Sequence, residues 1–321
     1  MYRNVTYSPA YTLVPTYECF NQCSYCNFRV APGEDKWLST NEATERLQVL
    51  LGKGICEILI LSGEVHPRSD RRQAWFNLIY NVCERSLSFG FLPHTNVGLL
   101  SWEEMEKLKQ VNVSMGLMLE QLTPRLLQTV HTRAPSKQPK LRLQQLEWAG
   151  QLQIPFTTGI LLGIGETEEE RSQSLAAISK IHQRYGHIQE VILQPHSLGS
   201  QQALPLPRFD LHQLPDIIGQ ARAILPADIA LQIPPNLVNY PDLLLACLEA
   251  GATDLGGLGP KDEVNPDYPH PVPEQLRSLL EPAGWSLSPR LPVYPQFDHW
   301  VCDRLISPVQ HWRDFFAQIP S

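Results

Sequence analysis

A chain of 321 residues is long enough for one large α/β domain or two ordinary ones, and an apolar share of 43% supports a substantial core. Lys and Arg number 26 against 33 Asp and Glu, a formal charge of -7 with no Lys/Arg-rich run, which argues against a nucleic-acid substrate. The start, M-Y-R-N-V-T-Y-S-P-A, lacks the apolar core of a signal peptide, and aliphatic stretches such as Ile58 to Leu61 are too short to span a bilayer, so a cytoplasmic protein without membrane contact is expected.

The apolar run Tyr11 to Thr16 predicts the first strand, and directly after it Cys19, Cys23 and Cys26 fall within C-F-N-Q-C-S-Y-C. Thiolates are soft ligands suited to iron-sulfur clusters, zinc or copper(I). Structural zinc wants four Cys or His ligands, and the nearest histidine is the distant His66. Three thiolates on one loop would instead hold a four-iron (4Fe-4S) cluster by three corners and leave the last iron open to react. A redox pair formed by Cys23 and Cys26 would leave Cys19 unexplained. Cys56, Cys83, Cys247 and Cys302 stand singly in apolar contexts, as inert buried thiols do, and the odd total of 7 fits a reducing compartment.

Further along, Ser39 and Glu42 form a capping box that opens a helix through about Lys53, stopped at Gly54. Ile55 to Leu61 reads as a buried parallel strand ending in Ser62-Gly63-Glu64. A helix from about Arg71 to Phe89 follows, then a strand from Phe91 to Asn96 and a second capping box, Ser101 with Glu104. Val111 to Leu119 is expected as the fourth strand, with Glu120 at its end; Pro124 to His131 and Lys140 to Leu152 are expected as helical. Phe156 to Leu162 is the fifth strand, followed by G-I-G-E and a helix from Thr167 to about Tyr185. Val191 to Gln194 is the sixth; weaker units follow at Ile229 to Ile233, Asp242 to Ala250 and Asp254-Leu255.

Strand and helix thus alternate six times clearly and twice faintly, which means a parallel sheet covered by helices. A closed (βα) barrel of TIM type is favoured over an open sheet. The loops after strands one, two, four and five carry the cysteines, Glu64, Glu120 and Glu166, and barrel active sites form at those strand ends. Residues 1–270 are read as the barrel with its N-terminal strand and cysteine loop. Residues 271–321, rich in Trp and Phe, are read as a C-terminal cap or closure of the same domain.

The spacing C-x3-C-x2-C with Tyr25 before the last cysteine resembles the signature of radical S-adenosylmethionine (SAM) enzymes. Ser62-Gly63-Glu64 is similar to their G-G-E motif, with Ser62 in place of the first glycine, and Gly159-I-Leu161-L-Gly163-I-G-Glu166 to their G-x-I-x-G-x-x-E pattern. The resemblance implies a radical SAM barrel in which Cys19, Cys23 and Cys26 hold a 4Fe-4S cluster whose open iron is chelated by SAM. Ser62, Gly63 and Glu64 would meet the methionine amino group. Leu161, Gly163 and Ile164, with Tyr25, would flank the adenine. Glu120 resembles a carboxylate that holds the SAM ribose or amine; read without the resemblance, it is equally a helix N-terminal acid. Reductive cleavage of SAM would give a 5'-deoxyadenosyl radical that takes hydrogen from a substrate buried in the barrel.

Longer stretches narrow the resemblance. V-T-Y-S-P ahead of the first strand, C-x3-C-x-Y-C-N-F-R, G-L-M-L-E and Gly251-A-T-D-L-G-G-L-G-P with V-N-P-D-Y-P-H-P resemble the family that makes 7,8-didemethyl-8-hydroxy-5-deazariboflavin (FO). That family would act as an ammonia lyase, closing the ring of a tyrosine-ribityldiaminouracil adduct and releasing ammonia. A partner radical SAM subunit would make the adduct, and a reductant such as ferredoxin or flavodoxin would supply the electron. Gln194-P-H-S-L-G and Gly259-P-K-D-E depart from the family pattern at the substrate end. His94, Asn96, His196, Asn236 and Asp254, at or near expected strand ends, are candidate substrate contacts, each equally explicable as a hydrogen-bonded structural group. The rivals are the adduct-forming subunit, another biotin-synthase-like enzyme, an iron-sulfur electron carrier and a tRNA-modifying radical enzyme. The Gly251 to Pro271 stretch, the missing fourth cysteine and the acidic charge count against these.

Overall fold

Apolar strands alternate with capped helices from the first residues of the computed structural model, which describes residues 3–202, 206–238 and 240–318. The outermost ends of the two expected segments, 1–2 and 319–321, lie outside the described residues. The first half of the chain forms β1 (Arg3–Leu13), α1 (Thr40–Leu50), β2 (Glu57–Leu61), α2 (Arg72–Ser88), β3 (Leu92–Asn96), α3 (Trp102–Lys109), β4 (Ser114–Gly116), α4 (Pro139–Gln151) and β5 (Phe156–Leu162). The second half forms α5 (Glu168–Tyr185), β6 (Ile188–Pro195), α6 (Leu214–Ile224), β7 (Ala230–Gln232), α7 (Pro241–Glu249), β8 (Asp254–Leu258), α8 (Pro273–Leu280), β9 (Trp285–Pro289) and α9 (Asp303–Ala317).

Neighbouring strands pair in parallel in the order β2-β3-β4-β5-β6-β7-β8-β1, and β1 pairs back to β2 from Ala10↔Glu57 to Leu13↔Ile60. Eight strands therefore close into a barrel with helices outside, the layered solution for apolar parallel strands. β5 is buried along its whole length. All three Ser/Thr–Glu capping boxes form, at Ser39 with Glu42, Ser101 with Glu104 and Thr167 with Glu170.

Several expected elements differ. Val5 to Pro9, placed ahead of the first strand, lies inside β1 and pairs with β8 and β9. The nine-residue fourth strand shrinks to Ser114–Gly116, because its apolar continuation leaves the regular ladder and the chain turns at Glu120, whose φ is 65°. Pro124 to His131 contains only a 3-10 turn, Pro124–Gln128. The C-terminal segment, expected as a cap or closure, also contributes to the sheet. It supplies β9, which extends the sheet alongside β1 from Arg3↔Trp285 to Tyr7↔Pro289. Beyond it, Leu291, Val293, Phe297, Leu305 and Val309 pack with Trp300, Trp312 and Phe316 against Cys56, Leu92 and Val113. Those last three precede or begin β2, β3 and β4, so the C-terminal aromatics seal the end of the barrel opposite the cysteine loop.

Candidate active site

The connection from β1 to α1 carries Cys19, Cys23 and Cys26. All three line one cavity of about 320 Å³, with Tyr25, Ser62, Gly63, Glu64, Glu120 and Leu161. Backbone hydrogen bonds fix this loop: the N–H groups of Phe20, Gln22 and Ser24 donate to the carbonyls of Glu64 (3.0 Å), Arg133 (2.7 Å) and Val130 (3.0 Å). Gly63 N–H donates to the Thr16 carbonyl at 2.9 Å. A Cβ on Gly63 would land on the Glu18 carbonyl oxygen, so only glycine lets the loop after β2 lie against the cysteine loop.

Burial pushes the Cys19 thiol up to about 11 and the Cys23 thiol up to about 12. Both carry protons at neutral pH until a metal displaces them. Among the described residues no three Cys, His, Asp or Glu side chains converge as a single metal ion requires; the three thiols share a cavity without meeting at a point. A zinc ion needs its donors about 2.3 Å from one centre, whereas a multi-iron cluster takes each thiolate on a different iron. The donor set fits a cluster.

Two acids and two bases form the cavity wall beside the cysteines. Glu64 accepts from Ser136 Oγ (2.9 Å) and Leu99 N–H (3.3 Å) and lies 3.5 Å from Arg142. Glu120 pairs with Lys137 and lies 4.0 Å from Arg142. Its left-handed backbone, uncommon outside glycine, is the kind of strain that clusters at ligand sites. Burial pushes the Glu120 carboxyl up, but Lys137 and Arg142 outweigh it and hold the group below its ordinary value. Arg142 is fully buried and also donates to the carbonyls of Met118 and Ser136. The quartet balances its charges, as a buried set must.

Tyr25 Oη lies 2.9 Å from His131 Nε2, and burial pushes His131 down to about 4, so the ring is neutral. Leu161 and Ile164 form an apolar cluster with Leu126 and Val130, against which Tyr25 packs. The N–H groups of Gly163 and Ile164 donate to Glu166 at 2.8 and 2.9 Å. These two residues are not among those lining the cavity, and Glu166 shapes their loop.

A second cavity of about 170 Å³ continues into the barrel and shares Leu61, Asn96, Ile192 and Gln194 with the first. Of the candidate substrate contacts, Asn96 lines both cavities, His94 the inner and His196 the outer. Asn236 and Asp254 line neither. Asn236 donates to Asp262 (2.8 Å) and the Tyr268 carbonyl (3.0 Å), anchoring the loop after β8. Asp254 begins β8 rather than ending it and accepts from Arg290 at 2.5 and 2.7 Å. Sequence reasoning missed Lys137, Ser136 and Arg142. The signal for Arg142 is a charge on the face of α4 that also carries Gln145, Leu146 and Ala149, since a buried arginine needs a partner.

Residues 13–178, which include the three cysteines, match the radical SAM superfamily. The chain is 66% identical over 309 residues to the 7,8-didemethyl-8-hydroxy-5-deazariboflavin synthase of Trichormus variabilis, covering 96% of this chain and 91% of that one. It is 62% identical to the synthase of the same name from Trichodesmium erythraeum, covering 98% of each. Among solved structures it resembles the FeFe-hydrogenase maturase HydG from Carboxydothermus hydrogenoformans, with a TM-score of 0.72 at 18% identity over 98% of this chain and 78% of that one. It also resembles methylornithine synthase, with a TM-score of 0.66 at 18% identity over 89% of this chain and 84% of that one. The structural likenesses carry the fold.

Proposed function

From the premise that the chain belongs to the radical SAM superfamily, and within it to the 7,8-didemethyl-8-hydroxy-5-deazariboflavin synthase family, we infer that its chemistry takes place where the cysteine cavity meets the inner barrel. The enzyme is a radical SAM lyase that forms the deazaflavin from the tyrosine-ribityldiaminouracil adduct and releases ammonia. The observation that carries the placement is the convergence of three cysteines, Glu64 and Glu120 on one cavity that opens into a second.

Cys19, Cys23 and Cys26 would hold a 4Fe-4S cluster by three thiolates, which would leave one iron for SAM. The cluster and SAM supply hydrogen-atom abstraction through reductive cleavage of a sulfonium bond, chemistry no side chain provides. Ser62, Gly63 and Glu64 would receive the amino group of SAM. Glu120 would meet its ribose or amine, and Tyr25 and Leu161 would flank the adenine, with Gly163 and Ile164 in the loop behind them. Lys137 and Arg142 set the two acids in place and offset their charge before any ligand arrives. Leu117, Met118 and Leu161 give the same cavity an apolar wall. His94 and Asn96 face the substrate from β3 and His196 from the loop after β6; Asn236 and Asp254 act at a distance, by holding the β8 loop and the β8 start.

The adduct-forming subunit and an electron donor such as ferredoxin or flavodoxin complete the reaction. No described helix is long and apolar enough to cross a membrane, and the free cysteines fit a reducing cytoplasm. Residues 271–318 complete one domain with the barrel. Anaerobic reconstitution tests this assignment. Wild-type protein should bind four irons and change its electron paramagnetic resonance spectrum on adding SAM, and Cys23→Ala should abolish both. A SAM response that survives in Cys23→Ala sinks the cysteine assignment.

A further inference from the structure

Below the cysteine cavity, the inner cavity ends in a polar floor of which the steps above use only His94. Its waist carries the apolar Leu59 and Ile192, the mouth layer above it Leu61 with Asn96 and Gln194 beside Lys261, Asp262 and Glu263 of the loop after β8, and its floor Glu57, His94, Thr157, Glu190, Gln232 and Arg290. Glu57 and Leu61 stand four residues apart on β2, as Glu190 and Gln194 do on β6. The floor therefore lies about 13 Å below the mouth layer, at ~3.3 Å per residue.

Several floor groups keep hydrogen-bonding capacity to spare. Ser114 Oγ donates its one proton to the Pro292 carbonyl at 2.6 Å. The 2.7 Å contact between Ser114 Oγ and His94 Nδ1 is then donated by the histidine, which leaves His94 Nε2 a bare acceptor. Glycine at position 116 keeps space beside that nitrogen, since a Cβ there would come within 3.0 Å of it. Burial pushes His94 down to about 3, so at neutral pH Nε2 accepts hydrogen bonds and carries no proton. The Gln232 amide faces the same cavity without a side-chain hydrogen bond to any described residue. Arg290 is consumed by Asp254 and Glu190, the latter at 2.8 Å. One guanidinium thus serves three buried carboxyls, counting Glu57, and burial pushes Glu57 and Glu190 up. A carboxyl oxygen accepts from a hydroxyl, and the Gln232 amide both donates and accepts.

We propose that this floor binds a polyhydroxyl chain, and that it holds the ribityl arm of the substrate while the pyrimidine ring lies at the apolar waist beneath the cysteine cavity. The inference deepens the functional reading above and rests on it. A sugar-alcohol arm presents several hydroxyls, each a donor and an acceptor, to a floor of mixed donors and acceptors. The phenol at the other end of the adduct presents one hydroxyl on an apolar ring. Seated here, it would leave most of these buried groups without a partner, which is costly.

The test compares two adducts, one with the ribityl arm and one with a pentyl arm, in wild-type, His94→Phe and Gln232→Leu proteins. Deazaflavin and 5'-deoxyadenosine are both measured. Wild type should prefer the ribityl adduct by at least ~100-fold in kcat/KM, as sites built for hydroxyls do. Each variant should lower that preference at least ~tenfold while SAM binding is kept; if one does not fold, the other carries the test. Equal use of both adducts by wild type overturns the inference, and so does a preference unchanged in a folded variant. Wild-type protein that makes 5'-deoxyadenosine but no deazaflavin from either adduct overturns the functional reading, and this inference with it.

Discussion

The Arg142 guanidinium lies 3.5 Å from the Glu64 carboxylate, both side chains buried in the wall of the cysteine cavity. Its other terminal nitrogen lies 4.0 Å from Glu120, so one side chain of α4 positions the acids that follow β2 and β4. Arg142→Met leaves the buried Glu64 carboxylate without its cation and Glu120 with Lys137 alone. The expected cost is about 3–5 kcal/mol of stability, read by urea unfolding, with SAM affinity falling as well. Unchanged stability would mean that Lys137 and water carry the charge balance alone.

Gly63→Ala separates loop geometry from global folding. The added methyl collides with the Glu18 backbone, and the strain, about 1–3 kcal/mol, falls on the contact between the β2 and cysteine loops. The far-ultraviolet circular dichroism should stay as in wild type while the SAM-induced spectral change weakens. An intact SAM response would show that the loop can shift without consequence.

Much of this was legible in the sequence, for identifiable reasons. The cysteine loop, the capping boxes and β5 are local patterns in which neighbouring residues decide the outcome. β9 was not legible, because Trp285–Pro289 is short and finds its partner across the whole chain, in the first residues of β1. Lys137 was hidden for a similar reason: nothing in a short Pro135–Lys137 turn announces that its ammonium will reach Glu120. The expected strand Asp254-Leu255 is too short to tell its start from its end, and β8 runs on to Leu258, which puts Asp254 at the base of the barrel.

Burial also sets a pH dependence. His187 is fully buried, with no hydrogen-bond partner for either ring nitrogen among the described residues, and burial pushes it down to about 3. Unfolded, it titrates near 6.5, so between about pH 6.5 and pH 3 the unfolded chain holds one more proton, and stability falls as pH drops through that window, by up to about 1.4 kcal/mol per pH unit. His187→Leu should make the profile shallower by that one proton's share, leaving the contributions of His94 and His131. Urea unfolding at pH 7, 6 and 5 checks it: parallel wild-type and variant profiles would contradict the assignment.

The C-terminal seal should matter for folding and little for chemistry. Phe297→Ala removes a buried ring from the cluster under the barrel, at a cost of about 3–5 kcal/mol. Thermal unfolding should shift accordingly, with SAM binding at low temperature close to wild type. A selective loss of SAM binding in a stably folded variant would tie this end of the barrel to the mouth.

The central claim is tested most directly by one anaerobic assay of reconstituted protein with SAM, a reductant and the partner-made tyrosine-ribityldiaminouracil adduct, following both products by mass. The account predicts 5'-deoxyadenosine and deazaflavin together, with both lost on Cys23→Ala. 5'-Deoxyadenosine without deazaflavin, from protein whose cluster responds to SAM, would contradict it.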